Sequence, residues 1–432
     1  MKKAASFALG CKVNQYESEA IAELFAEKGY EIVGIEEKAD VYVINTCTVT
    51  NFGDKKSRQL IRKVKRQNEN AVVAVVGCYA QTAPQELMKV EGVNLVIGTK
   101  DRAQIVEMVE NYDASRGVEN HVTDIMKERV FEPLSIQKLA NRTRAYLKIQ
   151  DGCSQYCSYC IIPYARGPIR SREPQEVLAE VKRLADNGFK EVVLTGIHVA
   201  SYGKDRRDTS LLEILRQVHE VEGIERIRFS SIEPNVVTEE FAQTMAELPK
   251  VCDHFHLSLQ SGCDRTLKEM NRKYDTEKYR QAAATLRKYM PHVALTTDII
   301  VGFPGETEED FKESYAFAKE IGFAKIHVFP YSPKRGTPAA ERKDQLPNAV
   351  KSERSHALIE LSDKMAQDFL KPYIGQEVEV LFERAVSEGV YEGHTTNYIK
   401  VQAAADCDLT NQICQAYITE AEQEELHGEV RA

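Results

Sequence analysis

Short runs rich in Val and Ile, each followed by a stretch with helical spacing, recur through most of the chain. Val41-Tyr42-Val43-Ile44 and Val72–Val76 carry no charged position. A strand with no face for water belongs in a parallel sheet covered by helices on both sides. Over residues 1–112, Lys3–Leu9 and Val93–Ile97 complete the strands, with helices expected at Gln15–Lys28, about Asp54–Gln67 and Asp101–Tyr112. The first of these follows Ile21, Leu24 and Phe25 and stops at Gly29. Residues 113–142 are polar and irregular and read as a linker. A second series follows at Ala145–Gln150, Glu191–Thr195, Arg226–Ser230, His254–Leu259, Ala294–Val301 and Lys325–Tyr331. Six βα units in a row over 143–370 predict a partial (β/α)6 barrel. Its last helix is expected from Pro347 to Leu370. Within 371–432, Val378–Phe382, Tyr398–Val401 and Gln415–Ile418 alternate apolar and polar residues, which predicts a small antiparallel β-barrel. The expected class is α/β: a doubly wound parallel sheet, a partial barrel, then the small β-barrel.

The net charge of −9 is unevenly distributed. From Gln376 onward ten Glu and two Asp face only Arg384, Lys400 and Arg431, so the rest of the chain balances near zero. Overall charge therefore does not advertise a polyanionic partner. No apolar run approaches the ~20 residues of a membrane-spanning helix. Leu9-Gly10-Cys11 faintly imitates a lipoprotein signal, but the apolar stretch before it is too short. Ten cysteines without an export signal favour reduced thiols and metal over disulfides, and a cytoplasmic protein.

Cys153, Cys157 and Cys160 stand in a Cys-x3-Cys-x2-Cys run. Fe–S clusters normally take four Cys ligands, so three leave one iron open. Structural zinc is the alternative, but zinc favours Cys-x2-Cys pairs and four closed ligands, and no fourth lies nearby. The run resembles that of the radical S-adenosylmethionine (SAM) enzymes, which implies that the open iron takes the amino and carboxylate groups of SAM. Cys11, Cys47 and Cys78 each close a predicted strand of the first sheet. Ligands of open parallel sheets sit outside the carboxyl ends of the strands, so three sulfurs there can converge on a cluster. Each taken singly reads as a buried thiol. Cys252, Cys263, Cys407 and Cys414 read as packing or surface residues.

Leu9-Gly10-Cys11-Lys12-Val13-Asn14-Gln15-Tyr16-Glu17-Ser18-Glu19, Asn45-Thr46-Cys47-Thr48-Val49-Thr50-Asn51, Gly77-Cys78-Tyr79-Ala80 and the Gly152–Gly167 segment together resemble the methylthiotransferases, a radical SAM family. The likeness covers essentially the whole chain, including a C-terminal domain similar to the TRAM module. It implies two 4Fe–4S clusters, one on Cys153, Cys157 and Cys160, and an auxiliary one on Cys11, Cys47 and Cys78 that carries the sulfur to be donated. It also implies two roles for SAM, as methyl donor to that sulfur and as source of the radical that removes hydrogen from C2 of an adenine. SAM contacts are expected at the barrel strand ends: Thr195 and Gly196 near its amino group, Ser231 and Glu233 near the ribose, then Gln260, Val301 and Gly302. Arg166 and Arg272 are candidates for its carboxylate.

The motif variants are most similar to the branch acting on N6-threonylcarbamoyladenosine 37 of tRNA. The alternatives are N6-isopentenyladenosine 37, an aspartate of a ribosomal protein, or a non-catalytic Fe–S carrier. Lys55, Lys56 and Arg58, on a basic run through Arg66, are expected at anticodon-loop phosphates, as are Arg166, Lys334 and Arg335. A solvated helix face is the plain alternative for the run. An electron donor such as flavodoxin or ferredoxin is implied, and no membrane. The acidity of the C-terminal domain argues against a strong grip on RNA.

Overall fold

The computed structural model describes residues 1–136 and 143–430. The first sheet has six parallel strands in the spatial order Glu31–Ile32, Lys3–Ala8, Val41–Thr46, Val72–Gly77, Leu95–Val96 and Glu119–Asn120. Val41–Thr46 lies at its centre and is buried at every position, as a strand covered on both faces must be. The strand at one edge, Glu119–Asn120, comes from the segment expected to be a linker, and Leu134 and Ile136 of the same segment enter the core of the barrel. Its last part, 137–142, lies outside the described residues. Helix Lys12–Glu27 serves two cores: Ile21 and Phe25 pack on the sheet, whereas Tyr16 and Ala20 pack on the barrel. Helix Asn51–Gln67 starts earlier than its polar sequence suggests, because Thr50 Oγ1 accepts a hydrogen bond from Gly53 N at 3.2 Å and caps it.

The second unit is the six-stranded parallel partial barrel. Its strands are Arg144–Asp151, Glu191–Gly196, Arg226–Phe229, His254–His256, Ala294–Val301 and Lys325–Pro330. Ladder pairing thins between the third and fourth strands, where Ile232 N donates to His256 O at 3.0 Å and Ser258 N to Ile232 O at 2.9 Å. Helix Asn348–Leu370 packs across the sixth strand.

Residues Glu377–Glu429 form a closed five-stranded barrel. Its pairs are antiparallel except one: Lys400–Ala404 runs parallel to Glu425–Glu429 and closes the ring. Among the described residues, no helix is long and apolar enough to cross a membrane.

Candidate active site

Cys153, Cys157 and Cys160 lie on the loop that leaves the first barrel strand. Gly152 opens that loop at φ +74°, and a Cβ there would stand 1.8 Å from Pro168 O, so glycine is required. Backbone bonds then fix the loop: Cys153 N to Gly167 O at 3.0 Å, Ser158 N to Met270 O at 3.0 Å, and Cys160 N to Cys157 O at 2.9 Å. Burial pushes the Cys153 thiol up to about 11 and the Cys160 thiol up to about 12. Arg272 Nη1 donates to Cys157 Sγ at 3.2 Å, and its Nη2 pairs with Glu233 at 2.9 Å. His198 Nε2 lies 3.1 Å from the other Glu233 oxygen. Burial opposes ionisation of Glu233, but His198 and Arg272 outweigh it and hold its carboxyl below the usual range.

Cys11, Cys47 and Cys78 follow the ends of three strands that are neighbours in the first sheet. Gly10, at φ +96°, lets the chain pass so closely that a Cβ would meet Cys47 Sγ at 2.6 Å. Burial pushes the Cys47 thiol up to about 12, with Cys78 and Cys11 adding to the rise, and burial raises Cys78 as well. Thiols in such surroundings ionise only against compensating positive charge, which bound iron supplies. Arg166 is placed to add to it, with Nε 3.2 Å from Cys78 Sγ. Both triads therefore fit a cluster in their chemistry. Among the described residues, no three His, Cys, Asp or Glu side chains close on a point suited to a single metal ion.

A cavity of about 1560 Å³ is lined by Cys153, Cys157 and Cys160 and, from the second triad, by Cys11 but not by Cys47 or Cys78. Thr195, Gly196, Ser231, Glu233 and Arg272 are on its wall, where SAM contacts were expected. Gln260, Val301 and Gly302 are not among its lining residues. The pleat explains Val301: Ala294, Thr296 and Asp298 face the lumen, so Ile299 and Val301 turn outward into the apolar core.

Two residues expected at tRNA phosphates are buried. Arg166 is fully enclosed, donating from Nη1 to Glu17 at 2.5 Å and from Nη2 to Asn14 Oδ1 at 2.6 Å. Lys334 is nearly so, pairing with Asp54 of the first domain. Lys55, Lys56 and Arg335 are exposed, and Arg58 is half-buried, donating to Tyr79 Oη at 2.7 Å. The sequence reading missed Lys12, His198, His254, His256, Asp298, His327 and Tyr398, all on the cavity wall. Alternate polar positions within apolar strands (254, 256, 258 and 296, 298) were the available signal.

The first domain and the barrel meet through Glu17. This fully buried carboxylate pairs with Arg102 at 2.6 Å, Arg166 at 2.5 Å and Lys148 at 2.7 Å, and Lys148 continues to Asp151 at 2.6 Å.

Comparison with known proteins agrees with this geometry. Residues 147–318 match the radical SAM superfamily, and residues 3–98 match a family described as uncharacterized protein family UPF0004. The threonylcarbamoyladenosine tRNA methylthiotransferase MtaB of Bacillus subtilis is 47% identical over 426 residues, covering 98% of this chain and 94% of that protein. The enzyme of the same name from Aquifex aeolicus is 41% identical over 88% of this chain and 92% of its own. The tRNA-2-methylthio-N(6)-dimethylallyladenosine synthase of Moorella thermoacetica is 37% identical over 98% of this chain and 95% of its own. Among solved structures, the radical SAM methyltransferase TsrM from Kitasatospora setae superposes with a TM-score of 0.58 at 16% identity, over 79% of this chain and 75% of that one, a likeness of fold. The chain belongs to the radical SAM methylthiotransferases that modify tRNA, enzymes of SAM and a 4Fe–4S cluster.

Proposed function

We propose that the chain adds a methylthio group at C2 of N6-threonylcarbamoyladenosine 37 of tRNA. Cys153, Cys157 and Cys160 hold the cluster that engages SAM, and Cys11, Cys47 and Cys78 hold a second 4Fe–4S cluster. One observation carries the reading: Cys11 of the second triad lines the same cavity as Cys153, Cys157 and Cys160, so a base bound there can reach both sites. When bound, the two clusters supply one-electron cleavage of SAM and the sulfur to be transferred.

The residues around them bind and orient. Arg272 and Arg166 set positive charge against Cys157 and Cys78. The strand end at Thr195 and Gly196 offers backbone groups to the SAM amino group. Glu233, held ionised by His198 and Arg272, accepts from a ribose hydroxyl, with Ser231 beside it. Gln260, Val301 and Gly302 support the strand ends from behind the wall. Lys55, Lys56, Arg58 and Arg335 face anticodon-loop phosphates next to Val49 on the cavity rim. Arg166 and Lys334 hold the two domains in register instead.

The working division is a cluster domain over 1–112, a connecting segment over 113–142, the barrel over 143–370 and the TRAM-like domain over 371–432. A flavodoxin or ferredoxin supplies electrons in the cytoplasm. Relatives named for threonylcarbamoyladenosine support that substrate over dimethylallyladenosine. The test is a pair of variants in the reconstituted enzyme. Cys157→Ala abolishes 5′-deoxyadenosine formation, whereas Cys47→Ala keeps it and loses the methylthio product. Product formation by Cys47→Ala would contradict the second cluster.

A further inference from the structure

Four cationic side chains line the cavity: Lys12, Arg272, Lys325 and Lys400. Three are committed to carboxylates. Arg272 pairs with Glu233 at 2.9 Å, Lys325 with Asp363 and Glu424, and Lys400 with Glu392 and Glu425 at 2.8 Å each. Among the described residues, no carboxylate stands within ion-pair distance of Lys12. Its ammonium lies 5.9 Å from the centre of the Tyr146 ring. Desolvation lowers its pKa from the usual lysine value, with Arg144 and Arg228 adding to the fall and Tyr398 and Glu191 opposing it.

The position is unfavourable for a lysine on structural grounds. Lys12 is the first residue of helix Lys12–Glu27, where the aligned peptide dipoles repel a cation, and no acidic residue in the first turn offsets this. The side chain remains accessible on the cavity wall. A cation held at a helix N-terminus, facing a cavity and lacking a protein anion, is arranged for an anion that arrives from outside.

We propose that Lys12 binds the carboxylate of the substrate's N6-threonylcarbamoyl group and so selects for an acidic N6 substituent. This rests on the function proposed above. The placement suits the base: C2 and C6 both flank N1 of the adenine ring, so a base that turns C2 toward the cysteines keeps its N6 substituent on the adjoining edge, within the same cavity. Lys12 springs from the residue after Cys11 and extends into the same space. An apolar isopentenyl substituent gains nothing from the ammonium and leaves it unpaired. SAM also carries a carboxylate, and the experiment separates the two sources.

The measurement is equilibrium binding to the reconstituted holoenzyme of two fluorescent anticodon stem-loops. One carries N6-threonylcarbamoyladenosine and the other its neutral methyl ester. The native enzyme should prefer the acid by about 10- to 100-fold, the range of a charge-assisted hydrogen bond. Lys12→Met and Lys12→Gln should erase the preference by weakening the acid alone, and Lys12→Arg should restore most of it. Iron content and the affinity for SAM without RNA should not change, the first showing that the neighbouring Cys11 keeps its cluster. Persistence of the preference in both neutral variants overturns the inference, as does its absence in the native enzyme. A loss of SAM affinity with the acid-over-ester preference intact assigns the lysine to SAM and overturns it too. Product analysis of the native enzyme keeps the two readings apart. Methylthiolation of threonylcarbamoyladenosine with an unchanged preference in the variants removes only the Lys12 role. Failure to methylthiolate that nucleoside removes the functional reading and the Lys12 role with it.

Discussion

Glu17 is a single carboxylate facing three cations in an interior that water does not reach. Removing one partner of a buried ionic group leaves the others uncompensated, at about 3–5 kcal/mol. Glu17→Gln is therefore expected to lower unfolding stability by that amount in urea titration, and to loosen the first domain from the barrel. The pH dependence follows. Burial opposes ionisation of Glu17, but Arg102, Arg166 and Lys148 outweigh it and hold the group well below the usual carboxylate range. Asp151 is lowered too, by Lys148, Arg166 and Arg170 acting against its burial. A carboxylate lowered on folding contributes its stability above its unfolded value, near pH 4–4.5, and loses it as pH falls through the folded value. Stability should then hold from neutral pH to about 5 and decline below that. In Glu17→Gln the acid decline should be shallower. Glu17 and Arg166 stood in the motifs that carry the resemblance, but their pairing was not legible beforehand. Glu17 sits in a helix with ordinary spacing, and its burial depends on which two surfaces meet.

The strands and their ends were legible because the information is local. A run such as Val72–Val76 has one way to avoid water, and a cysteine after it must emerge at the sheet's carboxyl edge. The faces of the barrel strands were less so. Each buried strand has two covered sides, and only pairing with its neighbours decides which alternate residues reach the lumen. That is why Thr296, Asp298 and His256 appear on the cavity wall while Val301 does not. The cysteine loop depends on one glycine. Gly152→Ala would drive a methyl group into Pro168 O at a φ that non-glycine residues rarely adopt, a strain of at least about 1–3 kcal/mol. The expected outcome is loss of iron from that cluster by metal analysis, with the Cys11, Cys47 and Cys78 site retaining its own.

The acidic C-terminal barrel finds a use in docking. Arg226 donates to His394 O at 2.8 Å and pairs with Glu379, Arg228 donates to Thr396 O at 2.7 Å and Thr395 O at 2.6 Å, and Arg144 pairs with Glu383. These arginines lie on the barrel strands. Tyr398 sits among them, 4.8 Å from Arg228 and 5.1 Å from Arg144, and lines the cavity. Part of the charge asymmetry read from sequence is thus consumed within the molecule, a pairing that composition alone cannot reveal. Arg228→Ala would leave two carbonyls without their donor and Glu191 with only the more distant Arg144, at 3.4 Å. It should destabilise by about 3–5 kcal/mol and expose the 371–376 junction to limited proteolysis before the rest of the chain.

The central claim is that the cavity shared by Cys11 and the Cys153, Cys157 and Cys160 triad serves a single base. It is tested by incubating the reconstituted enzyme anaerobically with SAM, a reductant and tRNA from cells lacking the modification, then weighing the digested nucleosides by mass spectrometry. A methylthio gain on threonylcarbamoyladenosine, lost in Cys47→Ala while 5′-deoxyadenosine still forms, is the predicted result. Formation of 5′-deoxyadenosine with no gain on any tRNA nucleoside would contradict it.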